Sequence, residues 1–305
     1  MESEEGDDIF QSLPVFAPDN ALYQLYQYKG FWTTKTRLLE ILAVHNQFVP
    51  LPTDVLLTSY PKSGSNWLKS LIFSIINRST SKASLLSTHP SHLVPNLEIK
   101  VYRGGKLFMR RIFSTHIPYH LLPPSMKDSN CKIIYIARNP KDVIVSLWHF
   151  LGSNKSLPPI TLEELVDGMC TGVFNHGPYF DHVLGYWKER LSDGSCSRRV
   201  FFLTYEELKR DTVDHVRRLG EFLGCPFDGD EEVGEIVRMC SFEHLSNVEA
   251  NQSEEKIPYG TFTYKSFFRK GEVGDYKNWL TPEMIERIDR VAEEKLRGSG
   301  LSLLG

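Results

Sequence analysis

The chain is 305 residues long, 41% hydrophobic and 24% charged, with a net charge of −3, which is the balance of a globular protein able to fill a core. That charge gives no electrostatic reason to expect nucleic acid or an anionic membrane as a partner, so any anion site must be built locally. Its 5 cysteines (131, 170, 196, 225 and 240) lack the close spacing of a zinc site or a redox dithiol, and its 10 histidines form no ligand-like pair, so no metal is expected.

The first residues, Met1 to Asp8, are acidic and lack the basic start and apolar stretch of a signal peptide. No apolar run reaches the roughly 18 residues of a membrane-spanning helix. With dispersed thiols, this points to a cytoplasmic protein. Residues 1 to about 20 read as a disordered tail and 21–305 as a single domain, opening on the aromatic anchors Tyr23, Tyr26, Tyr28, Phe31 and Trp32. The first clear strand is Asp54 to Ser59, bounded by Pro52 and Pro61. A helix follows from about Asn66, with Leu68, Leu71, Ile72, Ile75 and Ile76 on one face. Ser79 to Pro95 reads as loop, Lys106 to Ser114 as a second strand, and Lys132 to Ala137 as the strongest strand of all. Asn139-Pro140 then supplies a cap and a first-turn proline for the helix carrying Val143, Ile144, Leu147, Trp148 and Leu151. Val200 to Thr204 is a fourth strand, followed by helical patterns near 206–223 and 229–240. Gln252 to Lys265 reads as a long loop of the kind that forms a lid. The last helix is capped by Thr281, opens on Pro282 and stops at Gly298. Strands alternating with helices imply an α/β fold: a parallel β-sheet flanked by helices on both faces.

Ser59 to Trp67 lies between the first strand and the first helix. A strand-to-helix turn exposes free backbone N–H groups and the positive end of a helix dipole, which suits a phosphate. Gly64 permits close approach, Ser63 and Ser65 add hydroxyls, and Lys62 adds a full charge. An ordinary Pro-Gly turn with a solvated lysine has the same local composition. A nucleotide-kinase loop is the other alternative, but it places its lysine after the second glycine, whereas Lys62 precedes Gly64.

Four segments, in order, carry a more specific resemblance. Tyr60-Pro-Lys-Ser-Gly-Ser-Asn-Trp67 resembles the 5′-phosphosulfate loop (YPKSGTTW) of the cytosolic sulfotransferases, and Thr115-His-Ile-Pro118 is similar to their T-H-L-P. Tyr135-Ile-Ala-Arg-Asn-Pro-Lys-Asp-Val-Ile-Val-Ser146 looks like their 3′-phosphate segment. Phe268-Arg-Lys-Gly-Glu-Val-Gly-Asp-Tyr-Lys277 is similar to RKGxxGDWK, and the likeness spans about residue 20 to the C-terminus. Thr88 to Pro95 looks like the equivalent stretch of plant members.

The resemblance implies a P-loop-like phosphosulfate-binding loop and 3′-phosphoadenosine 5′-phosphosulfate as co-substrate, with no metal. It assigns the 5′-phosphosulfate to Lys62, Ser63, Gly64, Ser65, Asn66 and Trp67, with Trp67 also stacking on adenine. Arg138 and Ser146 take the 3′-phosphate, Tyr205 and Phe242 reach the adenine, and Arg269, Lys270 and Gly271 close over the 3′-phosphate. The physical reading supports Arg138, which precedes a capped helix N-terminus. Spacing alone would not select Ser146, and Tyr205 and Phe242 read as core without the motif. His116, at the end of its predicted strand, is assigned as general base, and Lys62 as the cation on the leaving side.

Several positions depart from the pattern. Ser65 and Asn66 replace the two threonines of GTTW, Tyr276 replaces a tryptophan, and Ser114 stands where many members carry a lysine before T-H-L-P. Lys277 to Glu286 resembles the dimer motif KxxxTVxxxE, but Pro282 replaces its valine and supplies no backbone N–H, so a monomer is expected. The expected partner is a small-molecule hydroxyl acceptor held by aromatic residues such as Tyr119, Phe150, Tyr259, Phe262 and Tyr264. The plant-like stretch points to flavonoids, brassinosteroids, hydroxyjasmonates or glucosinolate precursors. Two other readings stand beside this one: a P-loop phosphotransferase, and a catalytically silent nucleotide-binding protein.

Overall fold

The computed structural model describes residues 9–17, 24–79, 87–104, 111–191, 199–257 and 260–304. In chain order, β1 (Val15–Phe16), β2 (Leu25–Tyr28) and β3 (Phe31–Thr33) form a small antiparallel sheet. The main elements that follow are α1 (Lys35–Gln47), β4 (Val55–Ser59), α2 (Ser65–Asn77), α3 (Leu97–Tyr102), β5 (Ile112–Thr115), β6 (Lys132–Ala137), α4 (Pro140–Gly152), α5 (Leu162–Thr171), α6 (Tyr179–Leu191) and β7 (Val200–Thr204). The chain ends through α7 (Tyr205–Arg210), α8 (Thr212–Leu223), α9 (Asp230–Met239), α10 (Phe242–Asn247) and α11 (Pro282–Leu296).

β5, β4, β6 and β7 lie side by side in that order, all parallel, with Leu57 opposite both Ser114 and Ile134. Period-two alternation divides the strands between two cores. Leu56, Ile133 and Tyr135 face α4, α5, α6 and α11, whereas Val55, Leu57, Ile134 and Ile136 face α2, α8 and α9. Burial on both faces explains why β4 and β6 read as continuous apolar runs. The α/β sheet with helices on both faces matches the expectation.

Three expectations change. Part of the expected tail is folded: Val15 and Phe16 pair with Tyr26 and Leu25, and Phe10 meets the Tyr26 ring at 4.9 Å between centroids, while residues 1–8 and 18–20 lie outside the described residues. Apolar residues scattered in an acidic stretch concealed that pairing. The second strand is Ile112–Thr115, and most of the expected Lys106 start lies outside the described residues. Within the expected loop of 79–95, Pro90–Leu93 forms a helical turn capped by His89, whose ring accepts from Ser91 N at 3.1 Å.

Candidate functional site

From β4 the chain crosses to one neighbour, β5, and from β6 it crosses the other way, to β7. The crevice beyond the carboxyl ends of β4 and β6 is therefore a topological switch point, where open α/β sheets bind ligands. The loop after β4 and the residue after β6 meet there: Arg138 Nη1 donates to the Lys62 carbonyl at 3.4 Å.

The β4–α2 loop is tightly specified. Lys62 and Gly64 both have positive φ, 69° and 101°, and Gly64 caps α2 without any side-chain hydrogen bond, so the first amides of the helix stay free. A Cβ on Gly64 would sit 2.6 Å from the Tyr205 ring. The Lys62 ammonium lies 3.9 Å from the centroid of Phe150 and 5.3 Å from that of Phe267, and it makes no ion pair among the described residues. Burial, and then the like charges of Arg138 and Arg269, push its pKa down to about 7. Lys62, Gly64, Ser65, Asn66 and Trp67 line one cavity. Ser63 does not: it is fully buried, and its Oγ has no hydrogen-bond partner among the described residues.

His116 follows the last residue of β5 and lines the same cavity. Its Nδ1 lies 2.7 Å from the Ser59 carbonyl. A carbonyl can only accept, so Nδ1 carries the proton and Nε2 keeps its lone pair. Two further contacts fix the residue. Its amide donates to Glu98 Oε1 at 3.3 Å, and its carbonyl lies 3.1 Å from His182 Nε2. Burial lowers its pKa to about 3, so the ring is neutral near pH 7.

Beyond β6, Asn139 caps α4 by accepting from Lys141 N at 3.0 Å, and Pro140 fills the first turn. Arg138 stacks over Tyr205 at 4.3 Å and donates from Nη2 to the Glu272 carbonyl at 2.7 Å, while its buried Nε has no partner among the described residues. Ser146 lines the cavity two turns along α4. The segment 268–277 is held over this end by Asp142 of α4, which accepts from the amides of Gly274 at 2.7 Å and Tyr276 at 3.1 Å. Asp275 takes Arg269 at 2.6 Å and Lys270 at 2.7 Å. Burial acts to raise the Asp275 pKa, but hydrogen bonds from Lys270, Asn278 and Arg269 prevail and hold it well below the usual carboxylate range.

Trp67 and Tyr205 meet edge to face at 5.4 Å, and Phe242 lies under Gly271, where an added Cβ would come within 2.5 Å of its ring. All of these residues line a single cavity of about 1400 Å³. That exceeds the usual range for one small ligand, roughly 300–1,000 Å³, so there is room for two. Beside Lys62, Phe150 and Phe262 stack with centroids 3.9 Å apart, and Tyr264, Phe174 and His176 line the same cavity. Tyr119 is not part of it and packs edge to face on Tyr186 at 5.4 Å. Tyr259 lies outside the described residues. Among the described residues, no group of three or more His, Cys, Asp or Glu side chains is placed to hold a metal ion.

The profile of the Sulfotransferase domain family matches residues 52–300. The chain belongs to that family. It is 43% identical over 316 residues to cytosolic sulfotransferase 8 of Arabidopsis thaliana, covering 99% of this chain and 94% of the relative. Cytosolic sulfotransferase 12 of the same plant is 43% identical over 294 residues, covering 91% and 88%. Among solved structures, an Arabidopsis thaliana protein assigned as a steroid sulphotransferase superposes with a TM-score of 0.77 at 35% identity, over 99% of this chain and 97% of that one. A mouse sulfotransferase complexed with PAP superposes with a TM-score of 0.73 at 32% identity, over 90% and 96%.

Three residues of this sulfotransferase site escaped the sequence reading. Asp142 looked like an ordinary first-turn acid of α4, although acids favour that position for the dipole alone. Glu98 of α3 is 3% exposed and accepts from Thr115 Oγ1 at 2.8 Å beside His116; burial raises its pKa. Lys69 of α2 is 8% exposed and lines the cavity. A charged residue inside the apolar face of a predicted helix was the available signal for Lys69.

Proposed function

We propose that this chain transfers a sulfuryl group from 3′-phosphoadenosine 5′-phosphosulfate to a hydroxyl of a small, largely apolar acceptor in the cytosol, as one catalytic domain. The observation that carries the proposal is the placement of Lys62 and His116 at the carboxyl ends of neighbouring strands, both facing one cavity. A cation without an anionic partner and a neutral imidazole whose Nε2 is free, both among the described residues, supply the two functions that in-line transfer needs.

The anion end fits the donor. The free amides of α2, Lys62 and Asn66 suit the 5′-phosphosulfate; Arg138, Ser146, Arg269 and Lys270 suit the 3′-phosphate; Trp67, Tyr205 and Phe242 bound the adenine space. The Nε atoms of Arg138 and Arg269, unpartnered among the described residues, are donors that an anion would satisfy. Gly271, at φ 66°, lets the covering segment approach. In the reaction, the acceptor oxygen attacks sulfur and gives its proton to His116 Nε2. The bond from sulfur to the bridging oxygen breaks, and its electrons remain on the 5′-phosphate, whose growing charge Lys62 neutralises. The Phe150–Phe262 stack and Tyr264 offer an apolar, planar acceptor wall, which favours flavonoids, brassinosteroids or hydroxyjasmonates.

The test is transfer of labelled sulfate from the donor to plant phenols, flavonols, sterols and hydroxyjasmonate without added metal. A labelled product is expected, reduced by at least about 10²-fold in His116→Ala while calorimetric binding of the product 3′-phosphoadenosine 5′-phosphate (PAP) persists. Full turnover in that variant overturns the role of His116, and absence of both transfer and nucleotide binding overturns the reading.

A further inference from the structure

Two residues after Trp67, α2 carries a second lysine directed into the cavity. Lys69 is 8% exposed, takes part in no ion pair among the described residues, and has Ser91 Oγ at 3.5 Å as its one hydrogen-bond partner there. That distance is at the limit of a hydrogen bond. Ser91 Oγ in turn lies 3.4 Å from Asn66 Oδ1. Asn66, Ser91 and Lys69 therefore make a polar strip running from the first turn of α2 along the cavity wall, which they share with His116. A buried ammonium held by no ion pair among the described residues is unfavourable and calls for an anion. Burial lowers the Lys69 pKa to about 8, with Glu98 acting in the opposite direction. Ser114, at the position where many family members carry a lysine, offers no substitute, since its hydroxyl turns away to the carbonyls of Val94 at 3.4 Å and Pro95 at 3.3 Å.

We propose that Lys69 extends the phosphosulfate cradle: its ammonium binds the non-bridging oxygens of the donor's sulfuryl group and supplies from α2 the charge that Ser114 lacks on β5. This rests on the sulfotransferase reading above. It differs from the role of Lys62, which serves the phosphate side of the breaking bond. The sulfuryl group is present in the donor and absent from PAP, so the two nucleotides separate this role from general anion binding.

The experiment is calorimetric titration of the wild type, Lys69→Met and Lys69→Arg with both nucleotides, together with their melting midpoints. Lys69→Met is expected to bind PAP within about threefold of the wild type and the phosphosulfate donor at least about tenfold more weakly, with Lys69→Arg recovering most of that loss. Its midpoint should equal or exceed that of the wild type, because removing a buried cation that forms no ion pair among the described residues relieves the fold. Should the methionine variant not fold, Lys69→Gln carries the same comparison. Unchanged donor affinity, or an equal loss for both nucleotides, overturns the assignment. A wild type that binds neither nucleotide removes the donor reading itself, and this proposal with it.

Discussion

Lys62 is enclosed by Phe150 and Phe267, and Arg138 and Arg269 add like charge. With its pKa lowered to about 7, the ligand-free protein holds this lysine largely neutral at pH 8. An anionic nucleotide favours the ammonium, so binding at that pH takes up a proton. The sign follows: affinity is full below about pH 7 and falls as pH rises, by up to about tenfold per unit until the bound-state pKa is reached. Lys69, lowered to about 8, adds a decline of the same sign for the sulfuryl-bearing donor but not for PAP. Titrations of PAP in HEPES and in Tris at pH 8 should give heats that differ by the buffers' ionisation enthalpies, with the sign of proton uptake. Equal heats, and an affinity constant between pH 6 and 9, would show that Lys62 does not titrate there. At this scale, residues in the turns after strands were legible. Lys62, His116 and Arg138 follow apolar runs, and that placement alone puts them at the carboxyl edge of a sheet. Ser146 lies two turns inside a helix, and only the family motif could select it.

The segment 268–277 has little regular structure, a single 3₁₀ turn at Asp275–Asn278. Its position depends on Asp142, whose two oxygens accept from Gly274 and Tyr276, and on Asp275, which gathers Arg269 and Lys270. Asp142 lies in the first turn of α4, so the element that presents Arg138 also fixes the segment opposite it. Asp142→Ala removes both acceptors. It should destabilise the fold by about 2–4 kcal/mol and weaken PAP by about 10- to 100-fold as the segment detaches. Chemical denaturation and calorimetry measure the two effects, and a variant with wild-type PAP affinity would show that the segment is held by other means. Elements with strong local punctuation were readable: α4 opens on Asn139-Pro140 and α11 on Thr281-Pro282. The sequence reading did not identify α1, α5 or α6, although α5 begins with a reciprocal capping box between Thr161 and Glu164. The expected lid was legible only as a loop. Its bridge between Lys256 and Thr263 is local, but the seating of Phe262 on Phe150 depends on a contact distant in sequence.

Across the whole molecule, the proposed donor end collects Lys62, Arg138, Tyr205, Phe242 and Arg269, so its wall spans most of the chain. The two cores on opposite faces of the sheet meet at this wall: α2 and Tyr205 belong to one, α4 to the other. A nucleotide spanning the crevice joins groups anchored in both, and so stabilises the fold as a unit. At 100-fold excess over Kd, binding to the native state alone contributes about 2.7 kcal/mol. In a chain of this size that should raise the melting midpoint by about 5 °C. Protection from hydrogen exchange should be uneven. The Gly274 and Tyr276 amides already donate to Asp142, but Arg269, Lys270 and Gly271 have no regular backbone ladder, so their amides should gain most when the anion arrives. Amides in β6 and β4, buried in the sheet, should slow only by the amount of the global stabilisation. Exchange measured with and without saturating PAP distinguishes the cases: a uniform slowing would mean that 269–271 does not close over the nucleotide, whereas an excess confined to that segment identifies it as the cover.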